Sequence, residues 1–210
     1  MEDQKKPKDT EAMILQAAEK EFLEKGYTGA RTTAIAEAAG VTHAMLHYYF
    51  RTKDKLFEKI VSDKMEKLCE MLLMAINHPE LPLKERVQKG IEGHFEFLRA
   101  NPDLPRFIIN ELAEHPERME ALRGTLLKNA TSLLESLQEE IDRLASCNRC
   151  ERVDARMLLI DMVSLNVFLF LAAPIVKTVA GSIYGDYDLF LEMRKRENVK
   201  TILGKLKLEL

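Results

Sequence analysis

The sequence predicts an all-α protein, an N-terminal three-helix helix-turn-helix domain followed by a C-terminal helical bundle. Three observations carry this. Apolar residues recur at helical spacing through most of the 210 residues, and no alternating strand pattern interrupts them. Helix breakers are scarce, with 9 Gly and 7 Pro in the whole chain. Near Gly40, two short helical segments meet across a glycine, the outline of a helix-turn-helix.

The elements follow in order. Residues 1–9 are polar and charged and read as a disordered arm. A first helix fits Thr10 to Lys25 on Ile14, Leu15, Ala18, Phe22 and Leu23, capped by Asp9 or Thr10 and ended by Gly26. Thr33 to Ala39 forms a short second helix with one small apolar face, closed by Gly40. A third runs through Phe50 with Thr42 as its N-cap. Thr52 caps a long fourth helix from Lys53 towards Ile76. Further helices fit Leu83 to Ala100, Leu104 to Glu114 and Pro116 to about Ala145, separated by Asn- and Pro-containing stops. From Asp154 to Ala180 the chain is apolar on nearly every side, with a kink expected at Pro174. A helix apolar all round needs cover on two faces, most simply from another subunit. A last helix fits Asp186 to Leu208. This divides the chain into an arm (1–9), a helix-turn-helix domain (10–57) and a helical body (58–210).

Hydrophobic residues make up 46% and charged residues 31%, which excludes a disordered chain. No apolar run reaches the roughly 18 residues of a spanning helix, and the first residues lack an apolar leader, so a soluble, cytoplasmic protein with no membrane partner is expected. The net charge is −3, but residues 28–55 are locally basic at +2, a docking surface for an anionic partner on an acidic body.

The physical case for DNA lies in the third helix. Thr42 leaves backbone N–H groups pointing outward, where a phosphate is favoured by unpaired donors and the helix dipole. His43, Met45, Tyr48 and Tyr49 stand at positions that packing does not need. A helix of two turns fits a major groove, where such side chains read base edges and a thymine methyl. Lys53 suits a phosphate clamp.

The segment Gly26–Phe57 resembles the DNA-binding domain of the TetR family of transcriptional regulators. The likeness rests on Ile35-Ala36, a two-residue gap, Ala39-Gly40-Val41, the Thr42 cap, an aromatic cluster ending in Phe50, and Lys53. Two positions depart from the family pattern: Arg31 opens the second helix in place of Ser or Thr, and His47 replaces the first Tyr of the cluster. The resemblance implies a sequence-specific, ligand-responsive homodimer, most simply a repressor, binding a double-stranded palindromic operator. On that reading Arg31, Thr32, Thr33, Thr42, His43, Met45, His47, Tyr48, Tyr49 and Lys53 contact DNA. The last two long helices would form the dimer through Phe168, Leu169, Ala172, Val199, Ile202 and Leu203. A small, hydrophobic effector would sit among the middle helices near His94, Phe95, Phe107, Asn110, Asn166 and Phe170.

Two other readings stay open. One is an enzyme built on the helical bundle, although no di-iron Glu-x-x-His pair, phosphate loop or nucleophile elbow is present, and neither a catalytic residue nor a cofactor is suggested. The other is a ligand-independent DNA-binding dimer controlled by protein partners or by oxidation of Cys147 and Cys150. His43 and His47 are four residues apart but lack a third metal ligand, so no metal is expected there. The Cys147-x-x-Cys150 spacing is read as a pair of ordinary loop cysteines, with redox sensing as the sharper alternative.

Overall fold

A computed structural model describes residues 7–78 and 80–207. It contains ten helices among those residues: α1 (Pro7–Gly29), α2 (Thr32–Ala38), α3 (His43–Tyr49), α4 (Lys53–Ile76), α5 (Leu83–Ala100), α6 (Leu104–Glu114), α7 (Glu117–Ser146), α8 (Ala155–Leu171), α9 (Ala173–Tyr184) and α10 (Tyr187–Leu206). They form two compact units. One comprises residues 1–65 and 107–124, the other 66–106 and 125–210. α4, α6 and α7 each begin in one unit and end in the other, and most of α6 belongs to the N-terminal unit.

Helix α1 starts at Pro7, so residues 7–9 of the expected arm are helical and Asp9 lies within the first turn, beside the N-terminal end of the dipole. Residues 1–6 lie outside the described part. Ile14, Ala18 and Phe22 form its fully buried stripe. The helix breaks at Gly26, whose φ of 68° and ψ of 171° lie in a region open essentially to glycine alone. Beyond the break Tyr27 stacks on Phe22 at 5.7 Å, and Phe57 of α4 meets both rings edge-on. Phe107 of α6 completes the cluster, 6.2 Å from Phe22 and 5.5 Å from Phe57. Each aromatic pair adds about 0.5–1.5 kcal/mol beyond its buried area. Glu111 accepts a hydrogen bond from the Tyr27 amide at 3.0 Å, so α6 also satisfies a backbone donor at the break.

The second unit packs α5, α8 and α10 around two apolar clusters. One joins Leu72, Ile91, Leu137, Leu158 and Ile202 across five helices, and the other joins Phe95, Leu98, Leu169, Phe170 and Leu191. α7 ends in a Schellman motif: the Arg149 amide donates to Leu144, the Asn148 amide to Ala145, and Asn148 takes the left-handed conformation. The apolar segment after Asp154 divides at Ala172 rather than kinking at Pro174, and α8 and α9 meet at 83°. Pro174 explains the position: it sits in the first turn of α9, where its missing N–H is harmless, whereas a continuous helix would drive its ring against the carbonyl four residues back. Among the described residues, no single helix is long and apolar enough to cross a membrane.

Candidate nucleic-acid interface

The interface is built from the turn outward. The α2 helix ends in a Schellman motif in which the Val41 amide donates to Ala36 and the Gly40 amide to Glu37, both at 3.0 Å. Gly40 occupies the left-handed position at φ 66°, which a Cβ would penalise. Thr42 is extended, and its hydroxyl accepts from the Met45 amide at 3.1 Å, opening α3. The inner side is fixed by Ile35, Ala36, Ala39, Leu46 and Phe50, all buried. Thr52 repeats the capping device for α4 through the Lys55 amide at 3.1 Å.

Of the seven residues of α3, Leu46 alone is buried. His43, Ala44, Met45, His47 and Tyr48 are exposed and Tyr49 is half-buried, with Tyr48 the most open at 82%. The Tyr48 and Tyr49 rings meet edge-on at 5.5 Å, as do those of His43 and His47 at 4.6 Å. His43 Nε2 lies 3.0 Å from the Thr32 hydroxyl, joining the start of α2 to the exposed side of α3. His47 Nδ1 lies 3.2 Å from the Arg51 carbonyl. Arg31 precedes α2 with an exposed side chain that makes no capping bond, and Thr33 is exposed beside it. Lys53 is half-buried: its ammonium stands 4.4 Å above the Tyr27 ring and 3.5 Å from the Thr28 carbonyl. Tyr27 in turn donates its hydroxyl proton to Asp54 at 2.7 Å. The expected DNA contacts thus fall within one unit, on α2, α3 and the start of α4.

Residues 14–60 match the family model for bacterial regulatory proteins of the tetR family. This segment is similar to the DNA-binding part of TetR-family regulators. An HTH-type transcriptional regulator of Bacillus subtilis, YdgC, is 29% identical over 110 residues, which are 50% of this chain and 56% of YdgC. The aligned region therefore spans little more than half of that relative. The crystal structure of a transcriptional regulator from Streptomyces coelicolor superposes with a TM-score of 0.70 at 19% identity, covering 95% of this chain and 99% of that one. The regulator FadR of B. subtilis, solved in complex with stearoyl-CoA, gives 0.66 at 20% identity, covering 93% and 98%. At these identities the structural likeness is one of fold, and it covers nearly the whole chain.

The residues expected to hold an effector are not brought together. Phe107 packs on Phe22 and Phe57 in the N-terminal unit, and Asn110 is exposed in the same unit. His94, Phe95, Asn166 and Phe170 do lie in the second unit, as satisfied core. Asn166 donates to the Ile91 carbonyl and meets His94 Nδ1, both at 3.2 Å, and Asn198 donates to Asn166 at 2.9 Å. Burial pushes the His94 imidazole down to about 4, so it is neutral and can accept at Nδ1. Phe95 and Phe170 meet edge-on at 5.6 Å. None of the six lines the apolar cavity of this unit. That space, about 40 Å³, is lined by Leu72, Ile76, Val87, Ile91, Leu137 and Met162 among others, all apolar.

The expected dimer residues are placed differently from one another. Leu169, Val199 and Ile202 are buried inside the chain. Ala172 and Leu203 are half-buried, and Phe168 is 60% exposed. The apolar side chains that α8 shows to solvent are Met157, Ile160, Val163 and Phe168, and α10 adds Leu189 and Met193. Because α8 is apolar all round, its periodicity could not tell the core-facing stripe from the outer one. Cys147 is exposed in the Schellman turn, while Cys150 is partly buried, its thiol pushed up by burial and by nearby carboxylates, and it donates to the Ile141 carbonyl.

Proposed function

We propose that this chain is a TetR-family regulator, a ligand-responsive, homodimeric transcriptional repressor that binds a two-fold symmetric operator. The observation that carries the reading is α3: a helix held at its two ends and by Leu46, with its remaining surface left to polar and aromatic side chains. That is the division a groove-reading helix requires. The second copy would dock on the apolar surface of α8 and α10, an arrangement supported by Met157, Ile160, Phe168, Leu189 and Met193 standing in solvent. The effector reading is supported by the apolar cavity of the body and by the fold shared with a regulator solved with stearoyl-CoA. Leu72 and Ile76 of the cavity wall lie on α4, whose first turns place Leu56 and Phe57 in the buried part of the N-terminal unit. A ligand that moves the end of α4 therefore acts on a helix that begins beside the interface. Couplings of this kind are worth about 1–3 kcal/mol.

The test is duplex selection from random sequence, followed by binding to the selected site. Tyr48→Ala should weaken the selected duplex by about 1–3 kcal/mol and relax its sequence preference, with the melting temperature unchanged. Lys53→Ala should weaken all duplexes alike and lower the salt slope by about one. Phe168→Glu should shift sedimentation from dimer to monomer and abolish joint occupancy of the two half-sites. A wild-type chain that selects no duplex, or a Tyr48→Ala chain with unchanged affinity and preference, would overturn the proposal.

A further inference from the structure

The polar groups exposed on α3 differ in whether the protein has already fixed which way they hydrogen-bond. The Tyr48 hydroxyl can donate and accept. His43 Nε2 lies 3.0 Å from the Thr32 hydroxyl, a partner that can itself donate or accept, so either ring nitrogen of His43 can carry the proton. His47 is different. The chain leaves α3 at Phe50, which is extended (φ −129°, ψ 101°), and the Arg51 carbonyl then stands 3.2 Å from His47 Nδ1. A carbonyl oxygen only accepts, so Nδ1 must carry the proton of this bond.

A neutral imidazole has one N–H, so with that proton on Nδ1 the other nitrogen, Nε2, is a bare acceptor. The ring is held at two places, by the Arg51 carbonyl and by the His43 ring, which meets it edge-on at 4.6 Å. Its remaining nitrogen belongs to an exposed side chain on the side of α3 away from Leu46. In a major groove the donors are the N6 amino group of adenine and the N4 amino group of cytosine. Guanine shows N7 and O6 there and thymine shows O4, all acceptors, as are the phosphate oxygens. A bare acceptor pairs with the two amino groups and sets lone pair against lone pair everywhere else.

We propose that His47 reads a base amino group through Nε2, so that one position in each half-site admits adenine or cytosine on the strand facing α3 and disfavours guanine and thymine. The inference rests on the groove-reading role proposed for α3, and it adds the residue that sets one position and the chemistry it reads. Every base pair carries one such amino group, on one strand only. The discrimination is therefore between the two orientations of a pair, not between A·T and G·C pairs. A contact from His47 Nε2 to a phosphate would need the opposite sense, because the ring would have to take up a second proton before it could donate.

The test uses the intact chain at pH 8 and the duplex it selects from random sequence, with all four bases placed in turn at each position of the half-site. At one position adenine and cytosine should bind about three- to tenfold tighter than guanine and thymine, the worth of one hydrogen bond. His47→Phe keeps a ring against His43 but has no nitrogen, and should erase that preference while leaving the other positions and the melting temperature unchanged. His47→Lys offers donors only and should turn the preference towards guanine and thymine. An amino preference that survives in His47→Phe, a guanine or thymine preference at the position His47→Phe alters, or proton uptake on duplex binding that His47→Phe abolishes would overturn the assignment. A chain that selects a duplex in which no position responds to His47→Phe overturns this inference alone, whereas a chain that selects no duplex overturns the groove-reading role with it.

Discussion

Helices α3 and α8 both expose large side chains that their own units do not need, and the two surfaces differ in kind. Around its single buried residue, α3 shows hydroxyls, imidazoles, a thioether and aromatic edges. α8 buries Leu158, Met162, Asn166, Leu169 and Phe170, yet its outer side still carries Met157, Ile160, Val163 and Phe168. The first surface offers hydrogen bonds and rings to a polar groove. The second offers only area, which suits another apolar protein surface. The lesson is that exposure alone identifies a docking surface, and the chemistry of the exposed atoms selects its partner.

The comparison breaks if the inner residues of the two helices are not what holds them. Leu46→Ala and Leu169→Ala should each lower unfolding stability by about 2–5 kcal/mol, the cost of removing a buried Leu together with the cavity left behind. Tyr48→Ala, one turn from nothing buried, should stay within about 0.5 kcal/mol of wild type. Urea unfolding followed by circular dichroism measures all three. A Tyr48→Ala loss comparable to that of Leu46→Ala would make the exposed ring part of the packing and remove the contrast.

The next effect belongs to the body alone. His94 is buried against Asn166, and its pKa near 4 lies below the ordinary 6.5 because burial disfavours the imidazolium. The unfolded chain therefore binds this proton more readily than the native one between those two values. Stability contributed by the neutral ring is complete above pH 6.5 and is lost as pH falls towards 4, by up to about 3 kcal/mol at 1.36 kcal/mol per unit. His94→Gln keeps a neutral hydrogen-bonding group and should flatten this part of the stability profile between pH 7 and pH 5. A profile equally steep in His94→Gln would mean that other groups carry the acid sensitivity.

The same contrast explains what was legible in the sequence. The boundaries of α4, α5 and α6 follow from caps, prolines and a single apolar stripe, and the helix-turn-helix follows from Gly40 and Thr42 because backbone geometry there demands particular residues. The exposed side chains of α3 were readable as those left over once Ile35, Leu46 and Phe50 had been given to packing. The body was less readable. A helix apolar on every side has no preferred stripe, so on α8 Leu169 could not be distinguished from Phe168. Phe107 was not legible because nothing local in α6 indicates that its ring joins Phe22 and Phe57 in the N-terminal unit. The cavity was not legible for a related reason: its wall is apolar like the core around it, so no side chain marks it.

The smallest effect is also the most direct contrast, because one substitution should act with opposite sign in the two units. Gly40 sits at φ 66° in the turn before α3, and although a Cβ there would meet nothing within 4 Å, the left-handed conformation itself costs a non-glycine residue about 1–2 kcal/mol. Gly40→Ala should therefore lower stability and, by disturbing the turn, weaken duplex binding. Gly90 lies inside α5 in an ordinary helical conformation on the cavity wall, and a Cβ there would stand 3.9 Å from Leu72 Cδ2, a normal contact. Alanine in place of glycine within a helix is worth about 0.8–1.0 kcal/mol. Gly90→Ala should thus raise the melting temperature by about 2–4 °C at this chain length. The pair is measured by thermal unfolding at matched concentration, and a rise for both or a fall for both would show that space rather than backbone conformation decides at one of the two positions.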